Sequence, residues 1–151
     1  LQKHVRQLVI GRVLDMGTGS GIQAITAACH PGVREVVAVD LNQDALNALQ
    51  EKIQQERLRK IKILQSDLFE HVSGQFNVII FNPPYLPQDP GIEDVAIYGG
   101  KKGWELIERF FRGASKHLLP EGKIFLLFSS LTQKEKINLI LSQYLFTFQE
   151  E

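Results

Sequence analysis

The sequence has little of what marks secreted, membrane-bound or nucleic-acid-coating proteins. Cys29 is the single cysteine in 151 residues, which excludes an internal disulfide framework and suits a reducing, cytoplasmic compartment. Net charge is absent: 17 basic residues balance 17 acidic ones, so no global field draws the chain to a phosphate backbone or an anionic bilayer. No apolar run reaches the length of a membrane span, and residues 1–10 are too polar for a signal peptide. His4, His30, His71 and His117 are scattered, without metal-ligand spacing. Internal repeats, low-complexity segments and linkers are missing too. What is there is ordinary for a soluble globular domain, with 44% hydrophobic and 23% charged residues. The expectation is one domain over residues 1–151, and the start at Leu1 rather than Met predicts a portion of a longer gene product.

Apolar periodicity divides the chain into alternating elements. Leu1, Val5, Leu8 and Val9 recur at helical spacing, with Gly11 as the stop. Residues 13–16 read as a short buried strand, 22–29 as a helix of small residues, and 36–39 as a second strand ending at Asp40. Asn42 is placed to cap a helix bearing Leu46, Leu49 and Ile53. Residues 61–64 and 78–81 are the third and fourth strands. After a long segment without periodicity, 83–103, a helix follows from Trp104, Ile107, Phe111, Ala114 and Leu118. Pro120-Glu121-Gly122 predicts a turn into a fifth strand, 124–128. Thr132 and Glu135 have capping-box spacing before a helix with Ile137, Ile140 and Leu141, and residues 145–148 begin a sixth strand. Such alternation predicts an α/β fold, a mostly parallel central sheet with helices on both faces.

In open parallel sheets ligands bind beyond the carboxyl ends of the strands. Asp15, Asp40, Asp67 and Asn82 fall at or near the ends of the first four predicted strands, so one crevice is expected to hold all four. The loop Gly17-Thr18-Gly19-Ser20-Gly21 brings backbone N–H groups close to a ligand with no Cβ in the way. A dinucleotide fingerprint would need glycine where Ile22 stands, and a P-loop would need Gly-Lys-Ser/Thr. Asp15, just before the glycines, suits an ammonium-bearing ligand better than a pyrophosphate. Asp40 has the placement for ribose hydroxyls, and Asp67 could accept from an adenine amino group. An adenosine joined to an amino acid fits all three carboxylates.

Opposite that site lies Phe81-Asn82-Pro83-Pro84-Tyr85-Leu86. Two prolines fix two φ angles, remove two backbone donors and push Asn82 toward an extended conformation. An amide is thus held at a strand end beside carbonyls that no proline N–H satisfies. It can accept hydrogen bonds from a planar –NH2 group, with Tyr85 over the group's face. The competing reading is an ordinary strand-ending turn.

Residues 13–21 together with Asn82-Pro83-Pro84-Tyr85 resemble the S-adenosylmethionine-dependent methyltransferases. With Ser66-Asp67-Leu68-Phe69, Tyr98-Gly99-Gly100 and Gly103 the resemblance narrows to the HemK-like release-factor glutamine N5-methyltransferases, and runs from about Gly11 to Leu131. It implies a Rossmann-like class I fold with S-adenosyl-L-methionine as cofactor. Gly17, Gly19 and Gly21, with Thr18 between them, would approach the methionine moiety, and Asp15 would support its amino group. Asp40 would take the ribose, Leu41 would pack on adenine, and Asp67 with Leu68 would frame the ring. Asn82 and the Pro83 carbonyl would hold the substrate amide, backed by Pro84 and Tyr85. No general base is assigned.

Members of the resembled family carry an upstream segment that closes over the cofactor and a complete final hairpin; both are expected to be missing here. Without the N-terminal helical domain of the bacterial members, the resemblance leans to the archaeal and eukaryotic type, which implies a small zinc-binding activator protein. Protein methylation at a glutamine amide competes with adenine or guanine amino-group methylation on nucleic acid, and with a cofactor-binding subunit that does no chemistry. Neutral charge disfavours nucleic acid as an autonomous partner, and an amide clamp has no use in a scaffold. Cys29 is expected as a small core residue and Trp104 as core packing. Arg57, Arg59, Lys60 and Lys62 form a solvated basic face, and no metal site is expected.

Overall fold

The computed structural model describes residues 1–84, 104–128 and 134–144. Five strands form one parallel sheet: β1 (Gly11–Met16), β2 (Val33–Asp40), β3 (Ile61–Gln65), β4 (Phe76–Phe81) and β5 (Leu118–Leu126), in the spatial order β3-β2-β1-β4-β5. Because β2 and β3 extend the sheet to one side of β1, and β4 and β5 to the other, the order reverses between β1 and β4. This reversal is where a parallel sheet opens a crevice at its carboxyl end.

Side chains alternate across each strand. On one face Val13, Val36, Ala38, Ile61, Val78 and Ile80 form a buried cluster with Val5, Ala24, Ala27 and Leu49. These last four come from α1 (Gln2–Leu8), α2 (Ile22–Ala28) and α3 (Gln43–Gln55). Small residues in α2 let that helix lie close to the strands, as its composition predicts. Leu46 and Leu49 anchor α3, each 1% exposed, and each worth about 2 kcal/mol of burial. On the opposite face Leu14, Met16, Val37, Val39, Ile79 and Phe81 are buried as well. Two buried faces explain why these strands read as continuous apolar runs rather than alternating ones.

The chain divides into two compact units, and this whole sheet belongs to the first, Leu1–Asn82 with Lys116–Leu126. The second is Pro83–Ser115 with Leu127–Glu151. It holds most of α4 (Glu105–His117) and all of α5 (Lys134–Gln143). Ile107, Phe110, Phe111 and Ala114 are buried on α4, and Ile137, Ile140 and Leu141 on α5. Phe111 stacks on Tyr144 at 6.4 Å, and Lys136 Nζ lies 4.5 Å from the Trp104 ring centroid.

Several local expectations need correction. The first helix stops at Leu8, with Val9 extended, and Gly11 opens β1 instead of ending the helix. Cys29 is exposed at the C-cap of α2 rather than in the core. Trp104 precedes α4 and is only half-buried, covered by a lysine. Pro120-Glu121-Gly122 does not precede β5 but interrupts it: Phe76 pairs with Leu118 and Val78 with Lys123, so the intervening residues bulge from the ladder. A bulge tolerates a proline that a regular central ladder would not. The expectations for Thr132, for residues 145–148 and for the motif from Tyr98 to Gly103 lie outside the described residues.

Candidate functional site

Adjacent strand ends bring the sequence-predicted residues to one side of the sheet. Met16 is paired with Val39 on β2 and with Phe81 on β4. The residues that follow, Gly17, Asp40 and Asn82, therefore leave the sheet from neighbouring strands. Asp40 pairs in turn with Gln65 of β3, and its carbonyl accepts the Ser66 N–H at 3.0 Å. Asp67 and Leu68 come directly after.

The glycine loop is held by backbone and carboxylate bonds. Thr18 N–H donates to the Val39 carbonyl at 2.8 Å, and Gly21 N–H to the Thr18 carbonyl at 2.9 Å. Gly19 N–H donates to Asp40 Oδ2 at 2.8 Å, and Asn42 N–H to Asp40 Oδ1 at 2.9 Å. Each oxygen of Asp40 so occupied keeps a second acceptor position. The predicted cap is present too, with Asn42 Oδ1 accepting from Asp44 N–H at 2.9 Å.

Asp15 is 2% exposed. Its Oδ2 accepts from Thr18 Oγ1 at 2.6 Å and from the Ala24 N–H at 2.9 Å. Gly21, the N-cap of α2, has no side chain to cap with, and Ala24 is in the first turn of that helix. Asp15 therefore caps α2 from the neighbouring strand and satisfies one of the helix's orphan donors. Burial pushes its carboxyl up to about 7; the bonds from Thr18 and Ala24 pull it down, and the charge of Asp40 adds to the rise.

Gly17, Gly19 and Gly21 all have positive φ, at +64°, +50° and +78°. The spaces beside them differ. A Cβ at Gly21 would collide with the Leu49 side chain of α3, so this glycine is where loop and helix meet. A Cβ at Gly19 would meet nothing within 4 Å. That open cradle, bordered by the Asp40 carboxylate, is the feature a ligand would fill, and it fits the amino-acid and ribose parts of an adenosyl amino acid. Leu41, 62% exposed, follows Asp40, and Ile22, 51% exposed, follows Gly21; both are large apolar side chains.

Asn82 is exposed at the end of β4, Pro83 is buried and Pro84 half-buried; Tyr85 lies outside the described residues. Asn82 is the last residue of the first unit and Pro83 the first of the second. Sequence reasoning missed the roles of Gln65 and Ser66: the Gln65 side chain bonds the Leu41 carbonyl after β2, and the Ser66 hydroxyl holds the turn after β3. Among the described residues, no group of three His, Cys, Asp or Glu could hold a metal ion, and no helix is long and apolar enough to cross a membrane.

Comparison with known proteins adds three findings. The profile of the family described as Methyltransferase small domain matches residues 1–150. A Methanocaldococcus jannaschii protein, provisionally named a protein N5-glutamine methyltransferase, is 40% identical over 132 residues, which is 83% of this chain and 66% of the relative. The release factor glutamine methyltransferase of Deinococcus radiodurans is 33% identical over 133 residues, 82% of this chain and 48% of the relative. The chain thus spans about two thirds and about half of these relatives' lengths. Among solved structures, the ribosomal protein L11 methylase of Lactobacillus delbrueckii superposes with a TM-score of 0.73 at 22% identity, over 95% of this chain and 65% of that one. This likeness carries the fold alone, the Rossmann-like class I architecture that the sequence predicts.

Proposed function

Because the chain belongs to the Methyltransferase small domain family, we propose that it is an S-adenosyl-L-methionine-dependent N-methyltransferase of a protein glutamine side chain. The favoured acceptor is the Gly-Gly-Gln loop of a release factor. The observation that carries the proposal is the pairing of β1 with β4. It sends the glycine loop and Asn82 off adjacent strands, so a methyl donor on one and an amide on the other would meet. Relatives named for glutamine methylation support the acceptor class. The family profile runs across both compact units, which supports reading residues 1–151 as one methyltransferase domain.

The cofactor supplies an electrophilic methyl on a sulfonium when bound. Around it, the Asp40 carboxylate accepts from the ribose hydroxyls with the lone pairs its backbone bonds leave over, and Leu41, Asp67 and Leu68 frame the adenine. Gly17, Gly19 and Gly21 admit the methionine moiety. Asp15, buried and engaged with Thr18, supports that moiety by fixing the loop. At the acceptor, Asn82 Oδ1 and the Pro83 carbonyl take the two hydrogens of the substrate –NH2, with Pro84 and Tyr85 completing the motif. An amide nitrogen is a poor nucleophile because its lone pair is delocalised into the carbonyl. Two acceptors on its hydrogens would orient the nitrogen and stabilise the positive charge it gains on alkylation, the surplus proton passing to solvent. Placement and fixed dipoles supply the rate.

The reading extends to a soluble, cytoplasmic enzyme working with a small zinc-binding activator. A stable monomer that is fully active alone would contradict the activator. The deciding assay is labelled methyl transfer from S-adenosylmethionine to a Gly-Gly-Gln release-factor domain, to RNA and to DNA, with and without the activator. Label on the protein glutamine is expected; label confined to nucleic acid sinks the proposal.

A further inference from the structure

β3 ends in two polar side chains, Gln65 and Ser66, that face two different loops. Ser66 is 3% exposed, and its hydroxyl is used twice. It donates to the Leu68 carbonyl at 2.9 Å and accepts from the His71 N–H at 2.9 Å. Enclosed by those two bonds, Leu68 sits at φ +47°, a left-handed conformation that costs a residue with a Cβ about 1–2 kcal/mol. Leucine has no polar side chain to compensate locally, so the Ser66 hydroxyl imposes the conformation. Gln65 reaches the other way. Its Nε2 donates to the Leu41 carbonyl at 3.2 Å, and the His71 ring Nδ1 lies 3.2 Å from its own carbonyl.

The two carbonyls held in this way belong to Leu41 and Leu68, the residues assigned to either side of the adenine. Leu41, an apolar residue left 62% exposed, has little packing to fix its backbone. We infer that Gln65 and Ser66 are positioning residues for the adenine subsite: they fix the backbones of Leu41 and Leu68 and so set affinity for the adenosine half of the cofactor. The inference rests on the cofactor reading above. If the hydroxyl only stabilised a turn, its loss would lower the melting temperature and leave ligand affinity alone.

The test is calorimetric binding of S-adenosylhomocysteine and of adenosine to the full chain, with cofactor KM and kcat measured alongside. Ser66→Ala is expected to raise both dissociation constants about tenfold, and the loss should appear in KM rather than in kcat. Ser66→Thr, which keeps the hydroxyl, should recover most of the affinity. Gln65 is exposed, so Gln65→Ala folds even where the Ser66 variant does not, and about a threefold loss is expected from it. Wild-type binding with unchanged constants in Gln65→Ala and in any folded Ser66→Ala overturns the inference. A wild-type chain that binds neither ligand overturns the cofactor reading, and the inference with it.

Discussion

Asp40 Oδ2 accepts the backbone N–H of Gly19 at 2.8 Å, which ties the end of β2 to the loop that follows β1. One carboxylate thus shapes the cradle from inside while its remaining lone pairs face the place where a ribose would lie. Asp40→Ala should therefore lose both a loop contact and a ligand contact. The dissociation constant for S-adenosylhomocysteine should rise by about a hundredfold, or about 3 kcal/mol. Titration calorimetry reads it directly, and a change under threefold would contradict the assignment.

The glycines of the loop should separate by what a methyl group would touch. Gly21→Ala forces an alanine to φ +78° and into the Leu49 side chain, which should cost about 2–4 kcal/mol of stability. At Gly19→Ala only the backbone cost of φ +50° applies, since the added methyl meets nothing, and about 1 kcal/mol is expected. Its methyl instead enters the space assigned to the cofactor. Urea denaturation should rank Gly21→Ala as the weaker fold, and binding, compared among the folded variants, should show a clear loss in Gly19→Ala.

Asp15 makes the fold sensitive to pH in a direction opposite to that of a salt-bridged carboxylate. Its pKa lies at about 7 in the native chain against 3.8 for an ordinary aspartate. Between those values the native state binds more protons than the unfolded one, so this group's contribution to stability falls as pH rises, and levels off above about 7. Asp15→Asn carries no such proton and still offers an acceptor to Thr18 or Ala24. Between about pH 5 and about pH 8 the wild type should lose about 3 kcal/mol relative to Asp15→Asn in denaturant unfolding. Parallel pH curves for the two proteins would show that Asp15 does not titrate in this range.

Much of this was legible because the pattern was set by burial on both faces of a parallel sheet. Strands β1 to β4, the Asn42 cap and the convergence of Asp40 with the glycine loop follow from apolar runs ending at polar residues. Position 120 misled because Pro-Glu-Gly has turn chemistry, and nothing local says that the ladder resumes on the same strand after a bulge. Asp15 reads from the sequence as support for an ammonium group; its carboxylate also caps α2, a contact between positions 15 and 24 that no spacing rule predicts. The left-handed Leu68 was invisible for a related reason. Leucine gives no sign of positive φ, and the cause lies in the hydroxyl of Ser66.

The central claim is that Asn82 holds the amide to be methylated and contributes little to holding the methyl donor. Asn82→Ala therefore separates the two functions in one variant. Labelled methyl transfer to a Gly-Gly-Gln release-factor domain should fall to background, while the dissociation constant for S-adenosylhomocysteine stays within about tenfold, or 1.4 kcal/mol, of wild type. Near-normal turnover in Asn82→Ala would contradict the account.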